Sequence, residues 1–183
     1  MQPCAEAELR ILARMPRVWS YCSRENSPLG LIELCREWLT PDMVLYEIGA
    51  FAGISTEIFS LFCQSVVAVD CWQSHEIPGN LLYDAEERFR LMMAERTNVF
   101  LSRKPSVEAA KDVLDQTISA VYIDGDHRRE AIRADLTVWQ AKLRPGGLLM
   151  GHDYQIREVA EELACAGLTP EKTYADDSWV CLC

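Results

Sequence analysis

Two hydrophobic rhythms take turns along the chain. Short, nearly unbroken apolar runs lie at Met43–Ile48, Ser65–Asp70, Asn98–Leu101, Ile118–Ile123 and Leu148–Met150. Between them, apolar residues recur every three to four positions. The first rhythm is that of strands buried on both faces, the second that of helices laying one stripe against them. Helices are expected over 5–15, with Leu9, Leu12 and Ala13 on one face and Pro16 at the end, and over Leu29–Leu39, with apolar residues at 31, 34, 35 and 38. Others are expected over 54–63, Leu81–Arg96, 107–115, 128–142 and 156–166. Ser106 precedes 107–115 as an N-cap, with Glu108 in the first turn, and Gly167 closes the last helix.

Asn26-Ser27-Pro28, Thr40-Pro41-Asp42, Pro78-Gly79 and Arg144-Pro145-Gly146-Gly147 punctuate the series as loops and turns. The tail has two short extended pieces around Ala175-Asp176-Asp177-Ser178, which reads as a hairpin. Five alternations of strand and helix predict an α/β fold with a doubly wound, mostly parallel sheet. The hairpin brings it to seven strands, at least one of them antiparallel. Residues 1–183 read as one domain, with 1–40 as an N-terminal helical cap and 41–183 as the core.

In such a sheet, ligands sit outside the carboxyl ends of the strands. After the first strand comes Gly49-Ala50-Phe51-Ala52-Gly53, then Ser55 and Thr56 at a helix start. Glycine permits positive φ and close backbone approach, and a helix start offers unpaired N–H groups. Asp70 follows the second strand, Ser106 the third, Asp124, Asp126 and His127 the fourth, and His152 and Asp153 the fifth. Small, acidic and imidazole groups thus gather on one edge. A carboxylate ending the second strand can accept from both hydroxyls of a ribose, which implies a nucleoside cofactor. A nicotinamide dinucleotide and S-adenosylmethionine compete for that role. Phe51 stands where the dinucleotide fingerprint needs its second glycine, and a bulky side chain there obstructs a pyrophosphate.

Charge narrows the partners. With 28 acidic against 18 basic residues the formal charge is −10, so nucleic acid is not an expected partner. The opening residues lack the basic-then-apolar order of a signal peptide, and no apolar run reaches the roughly 18 residues of a membrane span. A cytoplasmic protein without membrane contact is the expectation. The eight cysteines form no Cys-x-x-Cys pair, so most are expected to be buried hydrophobes. Cys71 alone has a position beside the expected site, and His75 is expected to be solvated.

Glu47-Ile48-Gly49-Ala50-Phe51-Ala52-Gly53-Ile54-Ser55 resembles the cofactor loop of class I S-adenosylmethionine-dependent methyltransferases. Ile123-Asp124-Gly125-Asp126-His127, Asp135-Leu136, Trp139, Arg144-Pro145-Gly146-Gly147 and Gly151-His152-Asp153-Tyr154 resemble a small bacterial subfamily related to catechol-type and macrolide-sugar O-methyltransferases. Val69-Asp70-Cys71-Trp72 and Ser178-Trp179-Val180 fit it as well. The resemblance covers about residues 40–183 and implies the Rossmann-like methyltransferase fold. It implies that Gly49, Ala50, Phe51 and Gly53 line the cofactor, with Asp70 at the ribose; Glu47, Ser55 and, by position alone, Cys71 are counted with them as cofactor-binding. It places Ser106 beside the adenine, and Trp72 either there or in the core. It implies Asp124, His152 and Asp153 as ligands of a divalent ion, Mg²⁺ or Mn²⁺, with Asp124 also beside the cofactor. A metal-free variant would use His127 or His152 as general base. The acceptor would be a small hydroxylated molecule, and a second subunit or the N-terminal helices would supply a lid. The amino-methylating Asn/Asp-Pro-Pro-aromatic motif is absent after the fourth strand, where Asp124-Gly125-Asp126 stands.

Overall fold

The computed structural model describes residues 28–73 and 77–183. The expected helix over 5–15, Cys4, Cys22 and His75 lie outside the described residues. Helix α1 (Leu29–Trp38) leads into strand β1 (Val44–Ile48), then α2 (Ile54–Phe59), β2 (Ser65–Val69) and α3 (Gly79–Ala94). Next come β3 (Val99–Ser102), α4 (Ser106–Ala110), β4 (Ile118–Ile123), α5 (Arg129–Gln140) and β5 (Leu143–Gly151). Helix α6 (Arg157–Cys165) and strands β6 (Lys172–Thr173) and β7 (Trp179–Leu182) complete the chain. The seven strands run in the order β3-β2-β1-β4-β5-β7-β6. The first five pair in parallel, and β7 is antiparallel to both β5 and β6.

Strand alternation sends neighbouring residues to opposite faces. On one face Leu45, Ala120, Tyr122, Leu148 and Met150 pack with Leu31, Leu34 and Cys35 of α1 and Ile58 and Phe59 of α2. On the other, Ile48, Val121, Ile123 and Leu149 pack with Ala109, Ile132, Leu136, Trp139, Val159 and Leu163. All six residues of the central strand β4 are buried, as expected of a strand covered on both sides. A third cluster joins Ala68, Trp72 and Val99 to Leu82, Ala85 and Phe89 of α3.

Two expectations are corrected. Arg144–Gly147 does not precede the fifth strand as a separate turn; it is a bulge within β5. Ile118 pairs with Leu143, Ala120 pairs with Leu148, and exposed residues 144–146 protrude between them with Gly146 at φ 75°. Ser106 is no N-cap: Pro105 holds that position, α4 starts at Ser106, and no side chain caps it. The C-terminus of α6 follows expectation, with Gly167 at φ 73° and the Leu168 N–H bonded back to Leu163. Cys35, Cys63 and Cys181 are buried, Cys71 and Cys183 half-buried, and Cys165 exposed. Among the described residues, no helix is long and apolar enough to cross a membrane.

Candidate active site

Each parallel strand hands its ladder on by one residue at its carboxyl end. The Asp70 N–H donates to Ser102 O (3.3 Å), Gly49 N–H to Val69 O (2.9 Å), Asp124 N–H to Ile48 O (2.8 Å) and His152 N–H to Ile123 O (3.1 Å). Asp70, Gly49, Asp124 and His152 therefore form one row across β2, β1, β4 and β5, and Asp153 follows directly. The row spans the point between β1 and β4 where strand order reverses, the place where an open parallel sheet opens a crevice.

The loop after β1 is held from several sides. A Cβ on Gly49 would lie 2.1 Å from Asp124 O, and φ is 92°, so the Asp124–Gly125 backbone itself demands glycine there. Gly53, at φ 81°, sits against Met92 and Phe89 of α3. The Asp70 carboxylate accepts from the N–H of Phe51 (2.9 Å) and of Trp72 (2.7 Å). Burial raises its pKa, against four backbone hydrogen bonds that favour the charged form. Trp72 belongs to the core beside Phe89, ring centroids 5.3 Å apart, and its indole N–H donates to Phe51 O. Cys71 is half-buried between the two. Phe51, Trp72 and Asp153 all have positive φ, at 44°, 49° and 60°. Non-glycine residues in that region cluster where function over-determines the backbone.

Glu47 is fully buried, facing α2, and accepts from the hydroxyls of Ser55 and Thr56. Burial carries its carboxyl up to about 8 despite those two bonds. Glu47 and Ser55 are thus bonded to each other under the loop. Ala50 is buried among the α3 cluster.

At the ends of β4 and β5, four groups converge. His127 Nε2 lies 2.7 Å from Asp153 Oδ2 and 3.9 Å from Asp124 Oδ1. His152 Nδ1 lies 3.3 Å from Asp153 Oδ1 and 3.9 Å from Asp124 Oδ1. Burial alone would push Asp153 up, but the two imidazoles bonded to it hold its carboxyl well below the usual range. Burial opposes charge on His152, yet Asp153 and Asp124 carry it up to about 9. Burial raises Asp124. Asp126 turns away to Arg128, which donates to both of its oxygens. A small cavity under this cluster is walled by Ile132, Leu136, Val159, Leu163 and Trp179.

Ligand atoms of Asp124, His152 and Asp153 lie within 4.8 Å of one another, the one such group among the described residues. Two carboxylate oxygens and one imidazole nitrogen suit Mn²⁺ or Fe²⁺, and Mg²⁺ through the oxygens. The donor set fits a divalent ion, and it draws on two strands locked to each other by backbone pairing.

Thr56, expected with Ser55 at the helix start, shares Glu47 with it. Three residues had no role in the sequence reading: Asp135, Trp139 and Asp176. Asp135 and Trp139 both hold Ser106. Asp176, 4% exposed, accepts from the N–H of Leu31 and of Ser178 and ties α1 to the β6–β7 turn. Asp135 carried a signal: it stands within the apolar stripe of Ile132, Leu136 and Trp139, and an acid there must find a partner. Asp176 carried none, because its partners are backbone amides.

The family described as "Methyltransferase domain" matches residues 46–154. A protein of Sinorhizobium fredii named "Uncharacterized protein y4gI" is 32% identical over 126 residues, which is 62% of this chain and 13% of that protein. The chain therefore spans a small part of that relative's length. A methyltransferase from Geobacter sulfurreducens superposes with a TM-score of 0.67 at 15% identity, covering 94% of this chain and 88% of that one. A putative methyltransferase from Streptococcus mutans, solved in complex with SAH, gives 0.60 at 14% identity over 87% and 98%. With the family match spanning more than half of its residues and the crevice at the β1/β4 reversal, this chain belongs to the methyltransferase domain family and has the class I fold of S-adenosylmethionine-dependent methyltransferases.

Proposed function

We propose that the chain transfers a methyl group from S-adenosylmethionine to an oxygen of a small hydroxylated acceptor, with a divalent ion held by Asp124, His152 and Asp153. One observation carries this reading: two carboxylates and two imidazoles meet at the ends of β4 and β5, beside the Gly49 loop. Asp70 supports the cofactor assignment. Its carboxylate ends β2 against the backbone of the Gly49 loop, the position from which an acid of this fold takes the ribose hydroxyls. SAH in the Streptococcus mutans structure supports it too.

Methyl transfer from a sulfonium is an in-line displacement. The S–CH₃ bond breaks as the O–CH₃ bond forms, a neutral thioether leaves, and the acceptor hydroxyl gives up its proton. A bound divalent ion supplies charge that lowers the pKa of that hydroxyl. His127, 2.7 Å from Asp153 and at the rim, is placed to take the proton at an imidazole nitrogen. That same contact favours a second, metal-free reading in which the His127–Asp153 pair alone serves as the base. Phe51 in the left-handed region, where a dinucleotide needs glycine, disfavours an oxidoreductase. The strongly negative charge disfavours nucleic acid as acceptor.

The test is S-adenosylhomocysteine release over a panel of catechols, sugars and other small alcohols, with and without chelator. Product that disappears with EDTA and returns with Mg²⁺ or Mn²⁺ supports the metal-assisted reading. Product indifferent to chelator leaves the His127–Asp153 reading. No product, with S-adenosylhomocysteine still bound, points to a cofactor-binding domain without catalysis.

A further inference from the structure

His152 and Asp153 are neighbours in the chain, and a single peptide group joins them. Its orientation is fixed by ψ of His152 and φ of Asp153. Asp153 stands at φ 60°, a left-handed conformation that persists in a non-glycine residue only where the surroundings hold it. Relaxed to negative φ, Asp153 would send its side chain off another side of the backbone, away from the contact with His152.

Trp179 holds that peptide group. Its indole N–H donates to His152 O at 3.0 Å, while the His152 N–H donates to Ile123 O at 3.1 Å. Both backbone polar groups of His152 are thereby engaged, one by β4 and one by a side chain of β7. Trp179 faces Gly151 across the β5–β7 ladder. A Cβ on Gly151 would lie 2.5 Å from Trp179 Cζ2, so the ring passes directly over Gly151 to reach the next carbonyl. The ring is 1% exposed and packed in the cluster of Ile123, Leu163 and Cys181, which keeps it in place. A buried indole needs some acceptor; here the acceptor is the carbonyl between two adjacent residues of the acid–imidazole cluster.

We propose that Trp179 is a positioning residue for the divalent ion: its indole N–H locks the 152–153 peptide and so keeps the His152 imidazole and the Asp153 carboxylate converged with Asp124. The inference rests on the metal-assisted reading above. Ligands oriented before the ion arrives bind it more tightly, because partners one step behind the ligands set their geometry.

Manganese titration followed by electron paramagnetic resonance, on the full chain without cofactor, tests it. In one variant 3-benzothienylalanine, introduced by nonsense suppression, replaces Trp179; sulfur stands where the N–H was and the ring keeps its shape. Trp179→Phe is the second variant. Both should bind Mn²⁺ at least about tenfold more weakly than the wild type, with S-adenosylhomocysteine affinity by calorimetry changed by less than about twofold. Leu143→Ala cuts the same core cluster at the other end of β5. It should lower the melting point and leave Mn²⁺ affinity within about twofold. Wild-type Mn²⁺ affinity in the benzothienyl variant, or an equal loss in Leu143→Ala, overturns the proposal while the metal site stands. No Mn²⁺ binding by the wild type refutes the metal reading, and this inference with it.

Discussion

Replacing Glu47 with glutamine isolates a buried charge in the middle of the sheet. Glu47 is fully buried on β1, with two hydroxyls as hydrogen-bond partners and, among the described residues, no cation bonded to it. Burial moves its pKa from 4.5 up to about 8. The folded state therefore holds a proton that the unfolded state has released between those values. Stability rises with pH only where the unfolded state binds more protons; here the native state binds more, so stability falls. The contribution is fully present below about pH 4.5 and is lost as pH rises through about 8. A displacement of about 3.5 pH units, at about 1.4 kcal/mol each, sets a ceiling near 5 kcal/mol. Glutamine keeps the shape and bonds both hydroxyls, accepting from one and donating to the other. Glu47→Gln should lie within about 1 kcal/mol of the wild type at pH 5 and exceed it by several kcal/mol at pH 8.5. Urea unfolding at half-unit pH steps, taken as the difference between the two proteins, cancels the titration of His152 and the other groups. A difference that stays flat from pH 5 to 8.5 would refute the buried, proton-holding carboxyl.

Gly49→Ala should destabilise by about 3 kcal/mol or more, or prevent folding, since the new Cβ meets Asp124 O at 2.1 Å and φ is 92°; a melting point within a degree or two of wild type would contradict this. Asp70→Asn cannot accept two amides as the carboxylate does, so it should cost about 1–3 kcal/mol and weaken S-adenosylhomocysteine at least about tenfold by calorimetry; unchanged affinity removes Asp70 from the ribose. Asp153→Asn keeps a residue tolerant of φ 60° while deleting a ligand charge. Manganese binding by electron paramagnetic resonance should fall at least about tenfold, and equal binding would remove Asp153 from the metal set.

The strand–helix alternation was readable because each parallel strand is buried on both sides and each helix on one stripe. The row of residues at the strand ends followed from it: in a parallel sheet the residue after each strand is placed by backbone pairing, whatever its side chain. Gly49, Asp70, Asp124 and His152 were found that way. What side chains do within the row was not readable. Glu47 and Ser55 are eight positions apart, and only the turn through positive φ at Gly49, Phe51 and Gly53 brings them together. The bulge at 144–146 was hidden because a Pro-Gly-Gly run reads as a break, while pairing of Leu143 with Ile118 continues the strand before it.

The crevice is braced from both faces of the sheet by acids that, among the described residues, are hydrogen-bonded to hydroxyls and to no cation. On the α2 face Glu47 collects the hydroxyls of Ser55 and Thr56; on the α5 face Asp135 collects that of Ser106. Each acid costs stability through burial, as its raised pKa records. Each also orders a short helix, α2 or α4, that contributes few residues of its own to the core. A purely apolar residue at either position would fill the space, yet it would leave the hydroxyls of Ser55 and Thr56, or of Ser106, without that partner. The acid orders the short helix start before any ligand arrives, and ordering completed in advance is not charged against binding. The two acids thus trade fold stability for an ordered rim of the crevice. Neutralising Glu47 or Asp135 should therefore raise the unfolding free energy above pH 8, and a value in either variant at or below that of the wild type would refute the trade.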